Sequence, residues 1–306
     1  MTQALEKNQQ KSMNNELYKQ SSYYKGLIKR SLRYLSSGYP IHFTGESGIG
    51  KTTLALHIAN QRKRPVMLIN GNKDLSNKDL IGAFTGYKSN KVKDNFVRTV
   101  HKTEENVTES WVDGRLLEAV KNGYTLIYDE FTRSQPETNN IFLPILEERI
   151  LPLYGTKRKN SYVNVHPDFT VIFTSNPDEY AGVFRSQDAL LDRMITLPLD
   201  QMDEESEIKA VTSKTNVTKA EAVAIVEFVS RARNLCSVKQ NGSGPSLRAS
   251  IMIAEMAKRY KIPIEGSNDE FWDLCFDIVW FPLQACSDRA DDRLATKLYT
   301  EFKKIK

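Results

Sequence analysis

Apolar positions in the first two thirds of the chain alternate between short unbroken runs and longer stretches spaced for a helix. The unbroken runs are Ile41-His42-Phe43, Pro65 to Asn70, Tyr124 to Tyr128, Phe169 to Thr174 and Met194 to Leu197. Runs this short, flanked by polar and turn-forming residues, predict buried strands. Helical spacing falls between them. Tyr24, Leu27, Ile28, Leu32 and Leu35 share one face, with Lys25, Lys29, Arg30 and Arg33 on the other. Further helices are predicted over Leu54 to Ala59, Asn77 to Phe84, Gly114 to Asn122 and Thr138 to Arg149. Ser76 or Asn77 caps the second of these four, Gly123 ends the third, and Pro144 predicts a kink in the last.

Two segments break the alternation. Residues 86–113 are polar, with mixed charge and a weak alternation around Phe96 to Val100, and predict an inserted hairpin or loop. Ile150 to Tyr154 and Tyr162 to His166 predict the arms of a hairpin whose tip carries Lys157-Arg158-Lys159. From Asp203 the strand pattern stops. Lys219 to Leu235, Ser246 to Tyr260, Glu270 to Ala285 and Asp291 to Lys304 are helical patterns. Strands separated by helices imply an α/β fold with a mainly parallel sheet, followed by an all-helical region. The expected division is a disordered basic tail over residues 1–22, an α/β domain over 23–200 and a helical lid domain over 201–306.

Composition changes this picture little. At 306 residues the chain can bury one large core or two ordinary ones. It has no apolar run long enough to cross a membrane and no apolar leader, which predicts a cytoplasmic protein. Cys236, Cys275 and Cys286 are odd in number and lack metal-ligand spacing, so they are expected as reduced thiols. Net charge is +5, and the first 35 residues, with seven Lys or Arg against two Glu, account for that excess. The remainder is balanced, so nucleic acid is not an expected partner.

Chemistry concentrates where the first strand ends. Thr44 is followed at once by Gly45-Glu46-Ser47-Gly48-Ile49-Gly50-Lys51-Thr52-Thr53, a G-x-x-x-x-G-K-T loop opening a helix. Strand, glycine loop and helix is the context a phosphate cradle requires, because backbone N–H groups and the helix N-terminus then face one anion. Lys51 is expected on the β- and γ-phosphates of ATP and the Thr52 hydroxyl on Mg²⁺. The third strand ends in Asp129-Glu130, which supplies a carboxylate for Mg²⁺ and another to activate water. Asn176 follows the fourth strand, where it can donate to the γ-phosphate.

P-loop, strand-Asp-Glu, strand-Thr-Ser-Asn-Pro, Leu190-Leu191-Asp192-Arg193-Met194 and Gly244-Pro245-Ser246-Leu247-Arg248-Ala249 follow in the order found in AAA+ ATPases, and the chain resembles that superfamily. The insert and the hairpin resemble its MoxR branch. Tyr128 to Ser134, Thr174 to Gly182 and Gln187 to Met194 resemble the gas vesicle protein N family. The resemblance implies a three-layer P-loop fold with a helical lid. It also implies a ring of copies of this chain, a hexamer in such families, acting with gas vesicle shell or accessory proteins. By position, Arg193 matches the arginine finger that reaches a neighbour's ATP, and Arg248 the lid arginine that contacts phosphate. A fixed guanidinium suits charge spread over phosphoryl oxygens. Arg133 and Arg149 compete for the trans role.

The resulting expectation is an ATP-hydrolysing ring that remodels or assembles proteins during gas vesicle formation. A MoxR-type activase of a metalloenzyme would use the same ATPase residues. A nucleic-acid motor would use Lys88, Lys91, Lys93 and the basic hairpin tip, against the neutral balance of the body. A nucleotide-binding shell component would show no turnover.

Overall fold

The computed structural model describes residues 22–93, 103–153, 161–176, 184, 188–236, 244–287 and 293–305. The expectations for the basic tail, for Lys157-Arg158-Lys159 and for residues 177–183 and 187 lie outside them.

The strands β1 (Ile41–Thr44), β2 (Val66–Asn70), β5 (Thr125–Asp129), β8 (Thr170–Ser175) and β9 (Ile195–Pro198) form one parallel sheet in the order β2-β5-β8-β1-β9. Its register aligns the carboxyl ends: Thr44 pairs with Ser175 and with Pro198, and Asn70 pairs with Asp129. In an open parallel sheet the crevice beyond these ends, where the strand order reverses, is where ligands bind. Around the sheet lie α1 (Ser22–Ser36), α2 (Lys51–Gln61), α3 (Asn77–Ile81), α4 (Arg115–Asn122), α5 (Pro136–Asn139), α6 (Phe142–Glu147) and α7 (Asp188–Leu191). Two antiparallel hairpins project from this body, β3 (Gly82–Lys93) with β4 (Thr103–Asp113), and β6 (Ile150–Pro152) with β7 (Tyr162–Asn164).

Alternation along the central strands divides the core in two. Ile41, Phe43, Ile127 and Ile172 belong to one cluster, with α1, α2 and the C-terminal helices. Leu126, Tyr128, Val171 and Phe173 belong to the other, with α4, α6 and Phe131. Both faces are covered, which is why the strands read as unbroken apolar runs. Tyr128, Phe131, Phe142 and Phe173 are all fully buried, with the Phe142 and Phe173 rings 5.3 Å apart edge to face. Each such side chain contributes about 1.5–3 kcal/mol by burial.

Beyond Pro198 every described element is a helix: α8 (Glu204–Thr215), α9 (Lys219–Arg233), α10 (Leu247–Tyr260), α11 (Asp269–Cys286) and α12 (Leu294–Phe302). The hydrophobic pattern alone does not pick out α8. Its signal lies at its start, where Asp203 accepts from Ser206 N and three acids follow in the first turn. Among the described residues no helix is long and apolar enough to cross a membrane.

Three expectations need correction. The helix expected over Asn77 to Phe84 stops at Ile81, because Gly82 has φ +122° and its bare Cα lies against Val112 O in the β3–β4 ladder. The helix expected over Thr138 to Arg149 is two helices, broken between Asn139 and Phe142. Pro144 falls in the first turn of α6, where a missing N–H costs nothing, so it starts a new helix instead of kinking one. Finally, the cysteines are not all reduced thiols. Cys236 and Cys286 form a disulfide between the end of α9 and the end of α11, and only Cys275 is free and buried. The pairing follows from helix packing across 50 residues of sequence, which spacing rules do not see.

Candidate functional site

The loop from Gly45 to Gly50 joins β1 to α2 and bounds a cleft of about 310 Å³ at the carboxyl ends of the strands. Ser47, Gly48, Gly50, Lys51, Thr52 and Thr53 line it from the loop side. Lys51 is buried, and its Nζ donates to Gly45 O at 2.7 Å and Glu46 O at 2.6 Å. Ile49 is buried beneath the loop, while the Glu46 carboxylate turns outward and accepts from Gln201 Nε2 at 2.8 Å. At Gly48 (φ +81°) a Cβ would run into the Ser246 hydroxyl. This glycine therefore lets the start of α10 rest on the loop.

The opposite floor is built on β5 and β8. One oxygen of Asp129 accepts from Thr52 Oγ1 at 2.7 Å and from Thr174 Oγ1 at 2.5 Å. Thr174 Oγ1 also accepts from Glu130 N at 2.9 Å. The two acids are thus braced by a buried threonine from the neighbouring strand, a role for Thr174 that sequence reasoning missed. Glu130 sits at φ +51°, a conformation unusual for a non-glycine residue, and its carboxylate pairs with Arg133 Nε at 3.0 Å. Asn176, buried at the end of β8, lines the same cleft.

The third wall comes from the C-terminal helices. Leu247, Arg248 and Ile251 of α10 and Lys214 of α8 line the cleft across from the loop. Arg248 is exposed there. Lys214 belongs to the helix that the hydrophobic pattern does not reveal, and no motif marks it.

Arg193 stands apart from the cleft. It binds Glu147 through Nε at 3.0 Å and Nη2 at 2.5 Å, and donates to Ala189 O. Its ionic partner is Glu147, not the adjacent Asp192. Arg149 donates to His166 O at 3.0 Å, beside the β6–β7 hairpin, and desolvation lowers its pKa. Of the three arginines, Arg133 faces its own chain's Glu130, Arg149 is tied to backbone, and Arg193 pairs across to α6.

Below the site His42 is buried between Ser175 Oγ (Nε2, 2.8 Å) and Thr196 Oγ1 (Nδ1, 3.1 Å). Burial lowers its pKa to about 4, so the ring is neutral at neutral pH. It joins β8, β1 and β9 beneath Asn176 and the loop. A lone histidine in a strand gives no sequence signal for this.

Chemically, the arrangement is a phosphate cradle facing two carboxylates. The Thr52 hydroxyl and the Asp129 carboxylate offer two hard oxygens 2.7 Å apart. That donor set fits Mg²⁺, which takes one or two protein oxygens and completes its octahedron with water and phosphate. Among the described residues no cluster of three or more His, Cys, Asp or Glu exists to hold a metal unaided.

Residues 40–194 match the AAA domain (dynein-related subfamily). The chain is 44% identical over 253 residues to the gas vesicle ATPase GvpN of Ancylobacter aquaticus, covering 83% of this chain and 70% of that one. To the gas vesicle ATPase GvpN of Haloferax mediterranei it is 42% identical over 227 residues, 74% of this chain and 64% of the relative. Among solved structures, NtrX from Brucella abortus in complex with ADP superposes with a TM-score of 0.53 at 18% identity, over 94% of this chain and 61% of that one. This last likeness speaks for the fold alone.

Proposed function

Because the chain belongs to the gas vesicle ATPase GvpN family, and is an ATPase built on an AAA domain, we propose that it works as a ring which couples ATP hydrolysis to remodelling or assembling proteins in gas vesicle formation. The observation that carries the chemical part is the meeting of Thr52 and Asp129 at 2.7 Å, in one cleft with Lys51, Glu130 and Asn176. In this reading the backbone from Gly45 to Gly50 and Lys51 hold the triphosphate, and Thr52 and Asp129 hold Mg²⁺. The ion, when bound, neutralises charge on the phosphoryl oxygens. Glu130 takes a proton from the attacking water, and Asn176 donates to the γ-phosphate and positions that water. Arg248 reaches the phosphates from the helical lid over residues 201–306. Arg193, outside its own cleft, serves the site of the next subunit. For that it must exchange Glu147 for a neighbour's phosphate, a swap available to an exposed ion pair worth about 1 kcal/mol or less.

The vesicle role rests on the relatives' names and is tested in cells. Replacing the chromosomal copy with a Glu130→Gln allele should abolish pressure-collapsible light scattering, the signature of gas vesicles, while the protein accumulates normally. Wild-type vesicle yield from that allele would break the link between hydrolysis and assembly.

A further inference from the structure

Three cations line the cleft, Lys51, Lys214 and Arg248, against two carboxylates, Asp129 and Glu130. The functional reading above uses Lys51 and Arg248 and leaves Lys214 without a task. Lys214 sits in the last turn of α8, where the chain leaves the helix through Asn216 at φ +56°. Among the described residues it makes no ion pair or hydrogen bond. Lys214 is exposed, and partial burial lowers its pKa, with Glu255 of α10 opposing. An exposed ammonium on the wall of a cleft that already holds two other cations, with no hydrogen-bonded partner among the described residues, suits a site that receives an anion.

Its position relative to Arg248 is fixed by buried chemistry. Glu207 of α8 is almost fully buried and accepts from Arg233 Nη2 at 2.7 and 2.9 Å and from Ser250 Oγ at 2.7 Å. Arg233 Nε in turn donates to Pro245 O at 2.5 Å, at the turn that leads into α10. One carboxylate thus clamps α8 to α10 two residues from Arg248. Ser246, which caps α10 by accepting from Arg248 N, lies against Gly48 of the phosphate loop. The two lid cations therefore stand on helices fixed to one another, and both line the cleft that Lys51, Glu130 and Asn176 also line.

We propose that Lys214 is a second lid cation that binds the terminal phosphate of a nucleoside triphosphate beside Arg248, so that closure of the lid distinguishes triphosphate from diphosphate. The proposal rests on the assignment of the cleft as the nucleotide site. Its chemistry is simple: an ammonium is a compact point charge that suits a phosphoryl oxygen with no demand on fork geometry. Loss of the terminal phosphate removes its counter-charge, and the lid wall is then held by one cation fewer.

The test is binding of fluorescent ADP and of a fluorescent non-hydrolysable ATP analogue, both with Mg²⁺, to the full chain as wild type, Lys214→Met, Lys214→Arg and Lys51→Ala. Lys214→Met should weaken the ATP analogue about tenfold and ADP less than about threefold. Lys214→Arg, which keeps the charge, should recover most of the difference. Unchanged affinity of Lys214→Met for both nucleotides, or an equal loss for both, would overturn the proposal, since the residue would then be idle or merely structural. If Lys214→Met fails to fold, Lys214→Gln, which keeps a polar stem and removes the charge, decides by the same ATP-to-ADP affinity ratio. Wild-type binding by Lys51→Ala would instead refute the cleft assignment itself, a result separable from failure at Lys214.

Discussion

The two walls of the cleft are built on opposite principles. On the sheet side the functional groups are tied down: Thr52 and Thr174 share one Asp129 oxygen, Glu130 donates its N–H to Thr174 and pairs its carboxylate with Arg133, and Lys51 is locked onto loop carbonyls. On the helical side Arg248 and Lys214 face the same space from solvent-accessible positions. What is fixed there is the backbone beneath them, through Glu207, Arg233 and Ser250. Preorganised groups suit the chemical step, because no reorganisation is needed when charge develops. Loosely held cations on a separately packed wall suit binding and release, because their partners change with the nucleotide. Substitutions of the sheet wall's carboxylates and of the threonine that braces them should therefore act mainly on turnover, and those on the lid wall mainly on affinity.

The largest effect should come from a residue on neither wall. Arg193→Ala is expected to lower ATP hydrolysis by about 10³-fold or more, the range of an arginine finger, with ATP binding retained. If Arg193 acts in trans as proposed, mixing Arg193→Ala with Glu130→Gln protein should regenerate hydrolysis, the second lending its finger to the first. Phosphate release from each alone and from co-assembled mixtures reads this directly. No gain on mixing would mean that two walls of a single chain suffice, or that Arg133 supplies the charge.

Next in size is Glu130→Gln, expected to cost about 10²–10³-fold in turnover and to leave ATP affinity within about threefold. Lys51→Ala should do the reverse of that split, weakening binding first. Equal turnover by Glu130→Gln and wild type would remove the carboxylate from the reaction and with it the chemical meaning of the sheet wall.

How much of this could be read beforehand depends on whether a feature is local in the chain. The phosphate loop is nine successive residues between a strand and a helix, so its glycines, Lys51 and Thr52 carry their context with them. Asp129 and Glu130 are legible for the same reason, at the end of an apolar run. Thr174 bracing Asp129 depends on the register between β5 and β8, 45 residues apart, and His42 meeting Thr196 spans 154. Neither separation leaves a periodicity to detect. Lys214 was hidden twice, on an unrecognised helix and without a motif. The disulfide leaves no mark in the sequence, because an odd cysteine count says nothing about which two helix ends meet.

A smaller effect tests the bracing itself. Thr174→Val keeps the shape of the side chain but removes the donor to Asp129 and the acceptor for Glu130 N. Leaving Glu130 N unpaired and Asp129 with Thr52 as its remaining donor should cost about 1–3 kcal/mol of stability, measured by urea unfolding, and about tenfold in turnover at unchanged ATP affinity. Thr174→Ser should restore both. If Thr174→Val raised the Michaelis constant with turnover intact, the division between a chemical wall and a binding wall would be drawn in the wrong place.

The smallest expected effect lies below both walls, at His42. Its folded-state pKa is lowered from 6.5 to about 4 by burial, so the unfolded chain binds the proton more readily than the folded one. Stability from this residue is fully present above pH 6.5 and is lost as pH falls toward 4, because folding must then release a proton. Between pH 7 and 5.5 the loss amounts to about 1 kcal/mol. Equilibrium unfolding at those two pH values, for wild type and His42→Gln, isolates the term: the substitution should flatten the pH dependence by that amount, whatever it does to absolute stability. The ring also ties Ser175, the neighbour of Asn176, to the strand that feeds the phosphate loop. In the folded protein the ring stays neutral down to about pH 4, so turnover should begin to respond to its protonation only as pH approaches that value. A wild type and a His42→Gln variant with superimposable pH profiles would show that the histidine merely fills space, and that the sheet wall is held from its upper side alone.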